Sequence, residues 1–188
     1  SIEHKLGIHG SPTAVMSYGD NDNCVGYLIG EENKGVGYMF TMMNHARVNV
    51  GLEGVGIAER AYQHALWYAR ERIQGAIIGD KSGAKKPILH HPDVRRLLME
   101  CKARTEAMRT VAYYAAAQID KARAGVAGAQ ARIDLLTPVV KGWSTEQGVE
   151  LSSTALQVFG GVGFVEETGA AQYYRDSRIT TIYEGTTA

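Results

Sequence analysis

Between Val48 and Arg72, the residues Val55, Ala58, Tyr62, Ala65 and Ala69 recur every three or four positions, with Glu53, Arg60, Gln63 and Arg70 between them. That period gathers the apolar side chains on one face of a helix. A second stripe comprises Val94, Leu97, Leu98, Cys101, Thr105, Met108, Ala112, Ala115 and Ile119. Pro92 and Asp93 suit its first turn, because the N–H that proline lacks has no helical partner there and a carboxylate meets the positive helix end. A third helix starts within Ala127 to Leu136. Thr137-Pro138 either kinks it or begins a new helix that runs to Phe159, where Gly160-Gly161-Val162-Gly163 stops it. A shorter segment, Glu166 to Asp176, precedes an extended stretch to Glu184.

The helical period begins after Gly35. Residues 1–33 instead alternate short apolar stretches with Gly, Asn, Asp and Pro. Asp20-Asn21-Asp22-Asn23 reads as a turn and Cys24-Val25-Gly26-Tyr27-Leu28-Ile29 as a strand. Two or three strands are expected there, too few to be stable alone. Gly79 to Pro87 reads as a loop. The fold class is therefore mainly α, an antiparallel four-helix bundle preceded by a short β remnant.

Composition narrows the function. Twenty Lys and Arg balance twenty Asp and Glu, which argues against a nucleic-acid partner, since phosphates call for a surplus of cations. No apolar run is long enough to span a bilayer. Two cysteines cannot build a disulfide framework, so a reducing, cytoplasmic setting is expected. Gly is 22 of 188 residues against an average of about 7%, and the glycines cluster. Gly51, Gly54 and Gly56 lie inside the first helix, where each costs up to about 1 kcal/mol relative to Ala. Close approach of another backbone or a ligand is the expected offset. The chain starts without Met and reads as a piece of something longer.

Several stretches carry candidate chemistry. His90-His91 lacks ligand spacing and reads as a solvated pair, and the Lys81 to Lys86 loop reads as a solvated basic loop. The glycines after Phe159 serve a helix C-terminus, or let the backbone approach a phosphate or an adenine ring. Arg72 closes the first helix, where a cation suits the negative end and where a guanidinium can also fork a pyrophosphate. In Thr180-Thr181-Ile182-Tyr183-Glu184-Gly185-Thr186, Glu184 reads either as an exposed, idle carboxylate, as glutamates usually are, or, from its apolar flanks, as a partly desolvated one with a raised pKa, as a general base requires.

Together these stretches resemble the acyl-CoA dehydrogenase family. The matching pieces are Lys5 to Thr13, Asn44-His45-Ala46-Arg47, Arg72-Ile73-Gln74-Gly75, Gln157 to Phe164, and Tyr174-Arg175-Asp176 followed by Ile182 to Thr186. They span essentially the whole chain in the family's order. His91-Pro92-Asp93-Val94-Arg95-Arg96 and Glu166 to Ala171 look like the larger-chain branch that includes 3-methylmercaptopropionyl-CoA dehydrogenases.

The resemblance implies that residues 1–33 end a middle β-domain and residues 34–188 form a truncated C-terminal helical bundle. It implies FAD as cofactor, an acyl-CoA as substrate, α,β-dehydrogenation to a trans-2-enoyl-CoA, an electron-acceptor flavoprotein as partner, and a homo-oligomer. Glu184 is implied as base and Thr186 as a flavin contact beside it. Arg72, Gln74, Gln157, Gly160 and Gly161 match positions that reach the FAD of a neighbouring subunit. Asn44 and Arg47 match a substrate-side pair in which many members have Asp at the first position, and Gly185 gives the substrate carbonyl access to backbone donors. An acyl-CoA oxidase and a non-catalytic helical interaction module remain as alternatives. The fragment alone is expected to be inactive.

Overall fold

The first apolar stripe becomes the inner face of α1 (Gly35–Glu71), which buries Val55, Ala58, Ala61, Ala65 and Ala69. The computed structural model describes residues 1–185. A hairpin of β1 (Ile73–Ala76) and β2 (Lys85–Pro87) follows, antiparallel, with Ile73 opposite Pro87 and Ala76 opposite Lys85. α2 (Pro92–Arg123) has proline in its first turn, with Asp93 beside it and Lys121 and Arg123 in its last turn. α3 (Ala129–Phe159) and α4 (Ala170–Arg178) complete the helices.

The helices pack up-down-up-down. Arg109 on α2 reaches Glu59 on α1 at 2.6 Å, and Cys101 Sγ lies 3.8 Å from the Leu151 carbonyl of α3. Ser152 and Ser177 meet at 3.1 Å between α3 and α4. Small residues set the closest contact, between α1 and α3. A Cβ on Gly51 would lie 2.5 Å from Val140 Cγ1, and one on Gly148 would lie 3.0 Å from Gly54 Cα. The two backbones touch, which is the offset expected for Gly51 and Gly54. Gly56 has open space around it. The core then closes with Leu98, Cys101 and Met108 from α2 and Leu151, Ala155, Val158 and Phe159 from α3. Burial pushes the Cys101 thiol up to about 11, so it packs as an uncharged core group.

Two expectations change, and at Pro138 one of two alternatives is decided. α3 runs through Pro138 without a second start; Pro138 and Asp134, whose carbonyl loses its helical N–H, are both exposed, so water can satisfy it. Residues 24–29 form no strand; the pairing in residues 1–34 is a single bridge, Ile2 to Ala14. A strand needs a neighbouring strand, and none lies beside it among the described residues. The stretch after α4 is not extended but a 3-10 turn over Ile179–Thr181. Thr180 Oγ1 donates to the Ser177 carbonyl at 2.7 Å and Thr181 Oγ1 to the Arg178 carbonyl at 3.2 Å. These β-branched residues bond back to the preceding turn, which overrides their strand preference.

Candidate active site

The turn after the 3-10 segment projects Glu184 between α1 and α3. Glu184 has a φ of 59° and Gly185 one of 99°. A left-handed Glu costs about 1–2 kcal/mol and persists only where its surroundings hold it. Three contacts do so here. Arg47 Nε on α1 donates to the Glu184 carbonyl at 3.0 Å. The Lys141 ammonium on α3 donates to the Gly185 carbonyl. The Tyr183 hydroxyl donates to the Glu53 carboxylate on α1. Burial and the Glu53 and Glu184 carboxylates push the Tyr183 phenol well above its ordinary range, so it stays a donor.

The Glu184 carboxylate is half-buried, and its Oε2 is enclosed without a hydrogen-bond partner. It lines an open cleft of about 550 Å³ with Arg47, Lys141, Trp143, Glu146 and Gly185. A half-buried carboxylate on a cleft wall, one oxygen of which no donor occupies, is chemically equipped to accept a proton. Thr186 lies outside the described residues.

A second group forms at the far end of the bundle. Arg72, Gln74, Gln157 and Gly160 line one cleft of about 340 Å³, floored by Tyr68, Ile88, Val158 and Phe159. The hairpin brings this about. It starts where α1 ends, so Arg72 and Gln74 stand beside the last turn of α3, and Arg72 Nη2 lies 3.5 Å from Gln74 Oε1. His91 Nε2 meets the Gln74 carbonyl at 2.9 Å, giving one of the paired histidines a structural contact. Gly160 has a φ of 62°, and a Cβ on Gly160 or Gly161 would meet nothing within 4 Å. One guanidinium, two side-chain amides and bare backbone form a donor set that fits the diphosphate and polar rim of a dinucleotide.

The N-terminal segment docks on α4. Ile8 N–H donates to Asp176 Oδ1 at 2.7 Å, and a Cβ on Gly7 would lie 2.8 Å from the Arg175 carbonyl carbon. Between them lies a mainly apolar cleft of about 540 Å³ that includes Leu6, Ile8, Ile179 and Ile182 and reaches Tyr183. Asn44 stands apart from Glu184. It is exposed and lines a different cleft with Ile119, Arg123 and Asp134, although Arg47 is one turn along the same helix. Sequence motifs miss Lys141 and the Tyr183–Glu53 contact. Lys141 had a signal: Thr137, Ser144, Thr145 and Gly148 are buried at helical spacing around it, so a lysine occupies the inner stripe of α3.

Comparison with known proteins identifies the family. Residues 33–188 match the family described as acyl-CoA dehydrogenase, C-terminal domain. The chain is 54% identical over its whole length to 3-methylmercaptopropionyl-CoA dehydrogenase of Ruegeria pomeroyi, covering 32% of that protein. It is 39% identical to a broad-specificity linear acyl-CoA dehydrogenase of Mycobacterium tuberculosis, again over all of this chain and 32% of the relative. Among solved structures, ACDH-11 of Caenorhabditis elegans, in complex with C11-CoA, superposes with a TM-score of 0.86 at 26% identity, over 99% of this chain and 30% of that one. The chain thus spans about a third of the length of the curated relatives it matches. In sequence over 33–188 and in the course of its helices, this chain belongs to the acyl-CoA dehydrogenase family.

Proposed function

We propose that the protein carrying this chain oxidises an acyl-CoA thioester to its trans-2-enoyl-CoA, with Glu184 as the base that removes the α-proton. The observation that carries this is the unpartnered Oε2 of a half-buried glutamate, held at positive φ on a cleft wall. Arg47 and Gly185 share the cleft and line the substrate side with Glu184. Asn44, one helical turn from Arg47, is the proposed partner of that residue although it lines a neighbouring cleft. Gly185 leaves the thioester carbonyl room to reach backbone donors, which stabilise the developing enolate oxygen and acidify the α-carbon. Glu184 then needs only to hold its carboxylate against that carbon and accept the proton.

FAD, when bound, supplies the acceptor for the β-hydrogen and its electron pair. Arg72, Gln74, Gln157, Gly160 and Gly161 would hold it, and Thr186 would contact it beside the base. The group around Arg72 and the turn at Glu184 lie at different ends of the bundle and line separate clefts. That separation supports a homo-oligomer in which the Arg72 group serves a neighbour's FAD. Residues 1–33 are the end of a middle β-domain in this reading, and the exposed Val25, Tyr27 and Ile29 are apolar side chains that such a domain would cover. An electron-transferring flavoprotein is the proposed acceptor of the electrons, and the free thiols of Cys24 and Cys101 suit a reducing cytoplasm.

The test is Glu184→Gln in the full-length protein. Flavin content and acyl-CoA binding should hold while flavin reduction by substrate slows at least about 100-fold, the usual scale of a positioned base. Near-normal reduction would place the base elsewhere.

A further inference from the structure

Lys141 is the anomaly of the α3 inner face. It is 4% exposed, among neighbours that include Val140, Ser144 and Thr145. Its recorded hydrogen bond goes to a neutral group, the Gly185 carbonyl, rather than to a carboxylate. An ammonium in such a place is costly, because its hydration is replaced by one amide oxygen. A glutamine could make the same bond without that cost, so packing alone does not account for a charge here.

The surroundings do. Arg47 approaches the turn from α1 and binds the Glu184 carbonyl; Lys141 approaches from α3 and binds the next carbonyl along. The two cations clamp successive carbonyls of a turn whose residues both have positive φ. The same cleft holds the Glu184 carboxylate, whose Oε2 has no hydrogen bond of its own. We propose that Lys141 is a positioning residue for Glu184, fixing the turn through the Gly185 carbonyl and placing a positive charge beside the carboxylate. The inference rests on Glu184 being the base.

The charges facing the pair are Arg47 and Glu53 from α1, Lys141 and Glu146 from α3, and Tyr183 and Glu184 on the turn itself. Burial, then Arg47, pull the Lys141 ammonium below the ordinary lysine pKa, while Glu146 and Glu184 act in the opposite direction. Lys141 and Glu184 are thus electrostatically coupled, and coupling is reciprocal. Removing the cation removes a favourable interaction with the Glu184 carboxylate.

The experiment compares Lys141→Met, Lys141→Gln, Lys141→Arg and Glu184→Gln in the full-length protein. Flavin content, Tm and the pH profile of flavin reduction by saturating acyl-CoA are measured for each. Lys141→Met should keep its flavin and a Tm no lower than the parent, because a buried charge has been replaced by an apolar chain. Its reduction rate at neutral pH should fall about tenfold, and the acid limb of the profile should move up by at least ~0.5 pH unit. Lys141→Gln, which keeps a donor but not the charge, should show the same shift. Lys141→Arg should return the limb toward that of the parent. An unmoved acid limb in both neutral variants overturns the proposal, as does a lowered Tm with an unmoved limb, which marks a purely structural lysine. Should Lys141→Met fail to fold, the Gln and Arg variants decide by the same limb. Glu184→Gln is the separate control. Parental rates in that variant would refute the base itself, whereas a collapse there beside an unshifted Lys141→Gln would refute only the role of Lys141.

Discussion

The α1–α3 seam and the Glu184 turn are held together by opposite means. At the seam, Gly51, Gly54 and Gly148 let two backbones touch. At the turn, a left-handed glutamate is restrained by Arg47, Lys141 and the Tyr183–Glu53 hydrogen bond. The seam gains its stability from close packing, which is nonspecific in chemistry and strict in shape. The turn uses groups that are costly to bury, and what they hold is a carboxylate oxygen without a partner. Polar restraint around a strained residue suits the catalytic role proposed for Glu184.

Breaking the seam should give the largest effect. A Cβ on Gly54 meets the backbone of Ser144 and Thr145, so Gly54→Leu must force the helices apart. A loss of about 3 kcal/mol is expected in denaturant unfolding, or no folded protein at all. Gly56→Ala, two residues along and in open space, should instead raise stability by about 0.5–1 kcal/mol through helix propensity. Equal losses from both would mean that the seam is not set by close approach.

Loosening the turn should do the reverse. Arg47→Ala removes a charged hydrogen bond to the Glu184 carbonyl. Flavin reduction should slow about 10-fold or more, in line with 1.5–3 kcal/mol for such a bond, while Tm moves by no more than about 2 °C. A large fall in Tm with unchanged turnover of the folded fraction would make the turn structural.

The smallest effect sharpens the seam side. His64 on α1 packs edge-on to Phe159 at 4.9 Å and meets the Tyr173 hydroxyl through Nδ1 at 3.2 Å. Burial, with Arg60 nearby, holds its pKa below the usual histidine value. The unfolded chain therefore takes up a proton at a pH where the fold still resists it, and stability falls as pH drops through about 6.5. His64→Asn keeps an acceptor near Nδ1 and does not titrate. The drop in Tm between pH 7 and 5 should shrink by about a degree in that variant, measured by calorimetry. An unchanged drop assigns the acid sensitivity to other groups.

The two regions also differ in how much of them the sequence discloses. The α2 stripe is legible because packing obeys the 3.6-residue period; Leu98, Cys101, Thr105, Met108, Ala112 and Ala115 are all buried. Residues 24–29 mislead because alternation describes a strand but not its neighbour, and no partner strand lies there among the described residues. Ile179 to Ile182 mislead because β-branched residues favour strands until their own hydroxyls bond to the turn before them. At the site, the motifs name Glu184 and Arg47, and the grouping of Arg72, Gln74, Gln157 and Gly160 follows from a hairpin too short for its pattern to register. Lys141 belongs to no motif. It appears only when the buried stripe of α3 is read position by position and one member carries a charge.

The central claim is that the Glu184 carboxylate removes the α-proton, and proton removal can be watched apart from oxidation. An acyl-CoA with α-hydrogens but a fully substituted β-carbon, such as 3,3-dimethylbutyryl-CoA, can lose its α-proton to the base but has no β-hydrogen to give up. Incubated with the full-length, flavin-loaded protein in D2O, its α-position should take up deuterium. Glu184→Gln, at equal ligand occupancy, should slow that uptake at least about 100-fold. Uptake by Glu184→Gln at the parental rate would show that another group removes the proton and would contradict the account of the turn.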